Sequence, residues 1–191
     1  MSSALTTLGS MARGLRDTTP GLHHVTVGAT SDEKYFLADT DRLTWIRRFV
    51  RTLARFEWSC LVVCQLDTHV HVIVDTPDES ISMGMHYLNS FYSTFINDTY
   101  ERRGVLVRAR YWSKPIVDDA QLISTYRYVV RNPVRAGLCA RSEDWRWSSF
   151  ATACGLADAF PFVNAAPVLA TLRSGDDARR TLLALSRDEG D

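Results

Sequence analysis

Residues 69–75 (HVHVIVD) alternate without interruption: Val70, Val72 and Val74 fall on one side of an extended chain, and His69, His71 and Ile73 on the other. Just before them, residues 59–66 (SCLVVCQL) form an apolar run with the length of a buried strand. Asp67-Thr68 is a tight link between the two, and Thr76-Pro77-Asp78 closes the hairpin-like unit. Leu22 to Val27 also alternates, carries β-branched residues and ends at Gly28, which predicts a first strand. Helical spacing governs the intervals between these strands. Leu43, Ile46, Phe49, Val50, Leu53 and Phe56 recur every three or four residues to about Glu57, with Asp39, Thr40 and Asp41 as possible caps. A second helix is predicted over about 80–102, with Met83, Tyr87, Phe91, Phe95 and Ile96 in its apolar stripe. A short strand follows at roughly 110–117. Asp118 or Asp119 then caps a third helix to about Arg131, where Asn132-Pro133 ends or kinks it.

The order β-α-β-β-α-β-α predicts an α+β fold: a ferredoxin-like antiparallel sheet with helices on one face, plus an extra helix. Residues 1–20 read as a flexible N-terminal arm, 21–152 as the domain, and 153–191 as a peripheral C-terminal segment with one helix near 178–186. With 191 residues and 46% apolar content, one core can be filled. No apolar run approaches the roughly 18 residues of a membrane span, and the first twenty residues lack the apolar block of a secretory signal, so a cytoplasmic location is expected. Cys60, Cys64, Cys139 and Cys154 form no CxxC pair; Cys60 and Cys64 lie in an apolar run and read as core residues, not zinc ligands.

The net charge is zero, which argues mildly against a nucleic-acid binder, yet the charges are unevenly placed. Arg102, Arg103, Arg108, Arg110 and Lys114 cluster, Arg127, Arg131, Arg135 and Arg141 follow, and acidic residues collect around 75–79 and in the last sixteen positions. A basic patch can bind phosphate on a neutral protein.

Two histidines two apart on a strand point to the same side of the sheet, where two imidazoles can grip a divalent metal. On the third helix the core stripe is Leu122, Ile123, Tyr126, Val129 and Val130. At about 100° per residue Tyr128 points well away from that stripe, with Asn132 one turn further on the same side. A tyrosine off the core face with an amide one turn below it suits a nucleophile and an auxiliary ligand; an exposed, incidental tyrosine is the plainer alternative. His23 and His24 read as strand residues near the site, with packing as their role. Trp112 suits either the core or base stacking, and Trp145 and Trp147 suit packing anchors.

Several segments, taken in order, resemble the REP-associated tyrosine transposases within the wider HUH (His-hydrophobic-His) single-strand nucleases. They are HHVTV at 23–27, RFEW at 55–58, HVHVIV at 69–74, the helix of Asn89, RARYW at 108–112, SKPIVDD at 113–119, YRYVVRNPVRAGL at 126–138 and DWRWSSF at 144–150. The resemblance spans about residues 21–152. It implies His69 and His71 as metal ligands, Tyr128 as the nucleophile and Asn132 as the third, helix-borne ligand. It also implies magnesium or manganese as cofactor and single-stranded or hairpin DNA as substrate, cut through a 5′-phosphotyrosine intermediate. The resemblance leaves a monomer or a homodimer: related single-strand transposases work as dimers, whereas the REP-associated branch is expected to act as a monomer. Arg108, Arg110, Lys114, Arg127 and Arg131 are candidates for phosphate contacts and Tyr111 for base stacking. Asp67-Thr68 stands where the family usually has Pro-Asn, and Gly104 to Arg108 departs from the family's Gly-His-Leu-Phe-Gln. The alternative from another class is a catalytically silent, domesticated DNA-binding domain. A two-histidine phosphoesterase fits His24-Val25-Thr26, but its second motif would need Ser or Thr where His71 stands.

Overall fold

The computed structural model of the chain describes residues 17–29, 33–102, 111–172 and 177–187. The order of elements is β1 (Gly21–Gly28), α1 (Asp39–Phe56), β2 (Ser59–Gln65), β3 (His69–Thr76), α2 (Ile81–Thr99), β4 (Trp112–Pro115) and α3 (Asp119–Arg135). Short helices α4 (Phe150–Ala153), α5 (Ala166–Thr171) and α6 (Ala178–Leu185) follow. The strands form one antiparallel sheet in the order β2-β3-β1-β4. This is the ferredoxin-like arrangement that the alternation and helical periods predict.

The alternating strands bury both faces of the sheet. On one face Val25, Val27, Val63, Val70, Val72 and Val74 pack against Trp45, Phe49 and Leu53 of α1 and Ile81, Met85, Leu88, Tyr92 and Ile96 of α2. On the other, Leu61, Val62, Cys64 and Ile73 pack against Leu122, Tyr126, Val129 and Val130 of α3. Cys60 and Cys64 are buried and free, as the apolar run implied. The C-terminal segment, read as peripheral, adds buried side chains to both cores: Phe160 to the first, Val168 and Leu182 to the second. Its short amphipathic pieces carried too little periodicity to show this.

Helix α3 starts at Asp118, whose side chain accepts from Gln121 N at 2.7 Å while Gln121 Oε1 accepts from Val117 N at 2.9 Å. Its end differs from the expectation. Pro133 lies inside the helix, which continues to Arg135. The proline is buried and falls in the last turn, where only one backbone donor is lost. Asn132 is thereby kept on the same helix as Tyr128.

Candidate active site

The register of the sheet decides which side chains meet. Thr26 of β1 pairs with His71, Gly28 with His69, and Trp112 and Lys114 of β4 with Thr26 and His24. Directly paired residues share a face, so His24, Thr26, His69, His71, Trp112 and Lys114 all lie on the face that α3 partly covers. His23, one residue off, lies on the opposite face; its Nε2 is 2.7 Å from the Thr19 carbonyl oxygen.

The two histidines of β3 converge. Nε2 of His69 and Nε2 of His71 stand 3.0 Å apart. Two ligands at right angles on a cation, each at about 2.1 Å, are separated by about 3.0 Å, so this spacing fits shared coordination. The two Nδ1 atoms are turned the other way: that of His69 is 2.8 Å from Thr68 Oγ1, and that of His71 is 2.9 Å from Thr26 Oγ1 and 3.0 Å from His24 Nε2. Burial lowers the basicity of all three rings. Desolvation pushes His71 down to about 2, with His69 and His24 adding to the effect, and His24 down to about 4, with Lys114 adding. His69 is shifted in the same direction by the same cause. Neutral imidazoles are the ligating form.

The turn that carries these histidines is firmly held. Arg42, buried on α1, reaches Asp67 Oδ1 at 2.5 Å and the Gln65 and Leu66 carbonyl oxygens at 3.3 and 3.2 Å. Its guanidinium also lies 4.8 Å from the Phe36 ring and 5.4 Å from that of Trp147. The Asp67 carbonyl oxygen accepts from Tyr35 N at 2.8 Å and the Thr68 carbonyl oxygen from Ala29 N at 3.2 Å. The departure from Pro-Asn at 67–68 thus brings its own anchors: a carboxylate for Arg42 and a hydroxyl for His69.

Tyr128 stands over this pair. Its ring lies edge-on to His71 at a centroid distance of 5.5 Å and to His24 at 6.0 Å. It is 43% exposed, whereas Tyr126, two residues earlier, is buried in the second core. Asn132 donates from Nδ2 to the Tyr128 carbonyl oxygen at 2.8 Å, which leaves its Oδ1 as the free lone-pair donor of the amide. Among the described residues no group of three or more His, Cys, Asp or Glu side chains could hold a metal. The donors that converge are the two imidazoles, and the Asn132 amide lies one helical turn from Tyr128.

A cationic stripe borders the tyrosine. Ser124, Arg127, Tyr128, Arg131 and Arg135 line a pocket of about 100 Å³ on α3, and the Arg135 guanidinium lies 5.8 Å from the Tyr128 ring. On the other side Trp112 is 52% exposed, edge-on to His24 at 5.2 Å. Lys114 is exposed two residues further along β4, paired with His24.

Several of the residues singled out from sequence meet here: His71 lies beside His69 and Tyr128, Arg127 and Arg131 line the pocket next to Tyr128, Lys114 pairs with His24, and Asn132 follows one turn along α3 from Tyr128. Tyr111 is not. It is 7% exposed in the first core, and its hydroxyl is 2.9 Å from Ser82 Oγ, so its neighbour Trp112 is the ring presented to solvent. Arg108 and Arg110 lie outside the described residues. Sequence reading did not assign His24, Thr26, Thr68, Ser124 and Arg135 to the site. The i, i+4 spacing of 127, 131 and 135 was the available signal for Arg135. For His24 and Thr26 only the strand register reveals the contact.

Among the described residues no helix is long and apolar enough to cross a membrane. No protein-family model matches the chain. A Haemophilus influenzae protein described provisionally as a REP-associated tyrosine transposase is 26% identical over 154 residues, covering 73% of this chain and 86% of that protein. In fold, the chain is similar to a REP-associated tyrosine transposase solved bound to a REP hairpin, with a TM-score of 0.67 and 18% identity over 78% of this chain and 90% of that one. The sequence relative and the fold neighbour bear the same family designation, which is the one that the motifs of this chain resemble.

Proposed function

We propose that this chain cuts and transfers single-stranded DNA next to a REP-like hairpin, through a covalent 5′-phosphotyrosine on Tyr128. The observation that carries the reading is one juxtaposition: a half-exposed tyrosine ring 5.5 Å from His71, whose Nε2 is 3.0 Å from that of His69. Tyr128 Oη attacks the scissile phosphorus. The Oη–P bond forms, the P–O3′ bond breaks, the phenolic proton leaves to solvent, and the departing 3′ oxygen takes one up. Attack by another 3′-hydroxyl reverses the step and joins strands. The phosphodiester bond energy is kept in the phosphotyrosine, so no nucleotide cofactor is required.

His69, His71 and Oδ1 of Asn132 would hold a divalent cation, magnesium or manganese, which would supply Lewis-acid polarisation of the phosphate. Arg127, Arg131 and Arg135 line the pocket beside Tyr128 and suit the flanking phosphates, while Trp112 offers an exposed face for an unpaired base. The site lies between the sheet and α3, a place that an unstacked strand reaches more easily than a duplex. A hairpin substrate is supported by the solved neighbour, which was bound to one.

The test is incubation with single-stranded hairpin oligonucleotides and manganese or magnesium, beside Tyr128→Phe. A metal-dependent covalent protein–DNA band, absent in the variant, is expected. Hairpin binding without an adduct over a broad panel would replace this reading with the silent DNA-binding domain.

A further inference from the structure

The imidazoles of this site form a hydrogen-bonded chain that can carry its protons in either of two directions. His24 Nε2 lies 3.0 Å from His71 Nδ1, His71 Nε2 lies 3.0 Å from His69 Nε2, and His69 Nδ1 lies 2.8 Å from Thr68 Oγ1. A neutral imidazole has one donor and one acceptor nitrogen, so each contact needs one proton. Two assignments satisfy all three, each the reverse of the other, and the first starts at Thr68. The Thr68 hydroxyl donates to His69 Nδ1, His69 Nε2–H donates to His71 Nε2, and His71 Nδ1–H donates to His24 Nε2. Thr26 Oγ1, 2.9 Å from His71 Nδ1, is a second acceptor for that same proton.

We propose that Thr26, His24 and Thr68 are positioning residues that hold His71 as its Nδ1–H tautomer and steer the Nε2 lone pairs of His71 and His69 toward a common cation. The inference rests on the reading of His69 and His71 as ligands. The reverse chain of protons would place hydrogen on His71 Nε2 and abolish its lone pair there. Thr26 disfavours that chain: the one Nδ1 lone pair would be contested by His24 Nε2–H and the Thr26 hydroxyl, whereas an Nδ1–H can be shared by two acceptors. His24 is 6% exposed and His71 4%, so water does not readily substitute for these partners. His69 must carry its proton on Nδ1 when its own Nε2 is a ligand. A hydroxyl can donate or accept, so Thr68 accommodates either tautomer without moving. A Pro-Asn pair at 67–68 would lack that hydroxyl. This chain has its own way of orienting the first histidine.

Groups in such outer positions typically contribute about 10- to 100-fold to metal affinity. The experiment compares wild type with Thr26→Val, Thr68→Val, and the rescuing Thr26→Ser and Thr68→Ser, with thermal melts to confirm folding. Manganese affinity is measured by electron paramagnetic resonance without DNA, and imidazole tautomers by long-range ¹H–¹⁵N correlation spectra in chelator. Each valine variant is expected to lose about 10- to 100-fold in manganese affinity and each serine variant to regain most of it. The wild-type spectrum should show His71 as Nδ1–H, with a mixed tautomer in Thr26→Val. Thr26→Ala replaces Thr26→Val if the latter does not fold. Unchanged manganese affinity in both folded valine variants, or an Nε2–H tautomer of His71 in wild type, overturns the proposal. If wild type binds no manganese, the ligand reading itself fails. The tautomer of His71 and its response to Thr26→Val then decide the positioning role separately.

Discussion

Tyr126 and Tyr128 are two residues apart on α3 and face opposite environments. The first lies in the second core at 2% exposure, and the second stands over His71 at 43%. The separation follows from about 200° of helical rotation between them. The Tyr126 hydroxyl is buried with no hydrogen-bond partner among the described residues. Removing an unsatisfied buried hydroxyl relieves its desolvation cost, so Tyr126→Phe is expected to raise stability by about 1 kcal/mol and leave covalent DNA capture intact. Tyr128→Phe is expected to do the opposite: stability within about 0.5 kcal/mol of wild type and no capture. Urea melts and the adduct assay on both variants check the pair.

Gly28 faces His69 across the β1–β3 ladder. A Cβ there would stand 2.7 Å from His69 Cβ and 2.8 Å from the Thr68 carbonyl oxygen. Backbone and strand must shift to make room, which typically costs about 1–3 kcal/mol. Gly28→Ala should lower the melting temperature. It should also weaken manganese binding, because the displaced residue is one of the two converging histidines. Calorimetry of folding and of manganese binding tests both parts.

Arg42 ties α1 to the turn before His69. Asp67→Asn leaves its buried guanidinium on two carbonyl oxygens and without the carboxylate. The Asp67 side chain is 41% exposed, so water screens part of the loss and the expected cost is about 1–2 kcal/mol. Arg42→Ala also removes the contacts with Phe36 and Trp147 and should cost more. Denaturant titrations of the two variants should rank in that order.

The histidine cluster should make the metal-free protein sensitive to acid. Burial holds His24 to about 4 and His71 to about 2, against an ordinary value of 6.5. Below 6.5 the unfolded chain takes up protons that the folded chain does not, so its proton count is the larger and stability falls with falling pH. The contribution is complete above 6.5. For His24 it declines through the window down to about 4, on the order of 1 kcal/mol per pH unit. Melts in chelator across this window should show a shallower slope for His24→Gln than for wild type.

The order of the elements was legible because both cores are written in period: valines at alternate positions of β3, and Leu122, Tyr126, Val129 and Val130 at helical spacing on α3. The same periods set His69 and His71 on one face and Tyr128 off the stripe. Contacts between strands were not legible. His24 meets His71 only because β1 pairs with β3 in one register, and that register is set by packing across the whole sheet. Tyr111 and Trp112 posed a parity problem. They are adjacent aromatics at the start of a four-residue edge strand, too short for alternation to say which turns inward. Pro133 misled for a related reason. A buried proline in a last turn keeps its packing and loses one hydrogen bond, so the tertiary contact outweighs the local preference.

The stripe of Arg127, Arg131 and Arg135 beside Tyr128 predicts how binding depends on salt. A guanidinium that neutralises a DNA phosphate releases a counterion, and on a single strand each such contact contributes about 0.7 to the slope of log affinity against log salt. Arg127→Gln, Arg131→Gln and Arg135→Gln should each weaken binding and flatten that slope by about 0.7, equally for hairpins of different sequence. Trp112→Ala should weaken binding with the slope unchanged, since stacking on an exposed ring releases no ions. Fluorescence anisotropy over a salt series separates these two kinds of contact. An unchanged slope in all three arginine variants would place the DNA backbone elsewhere on the molecule.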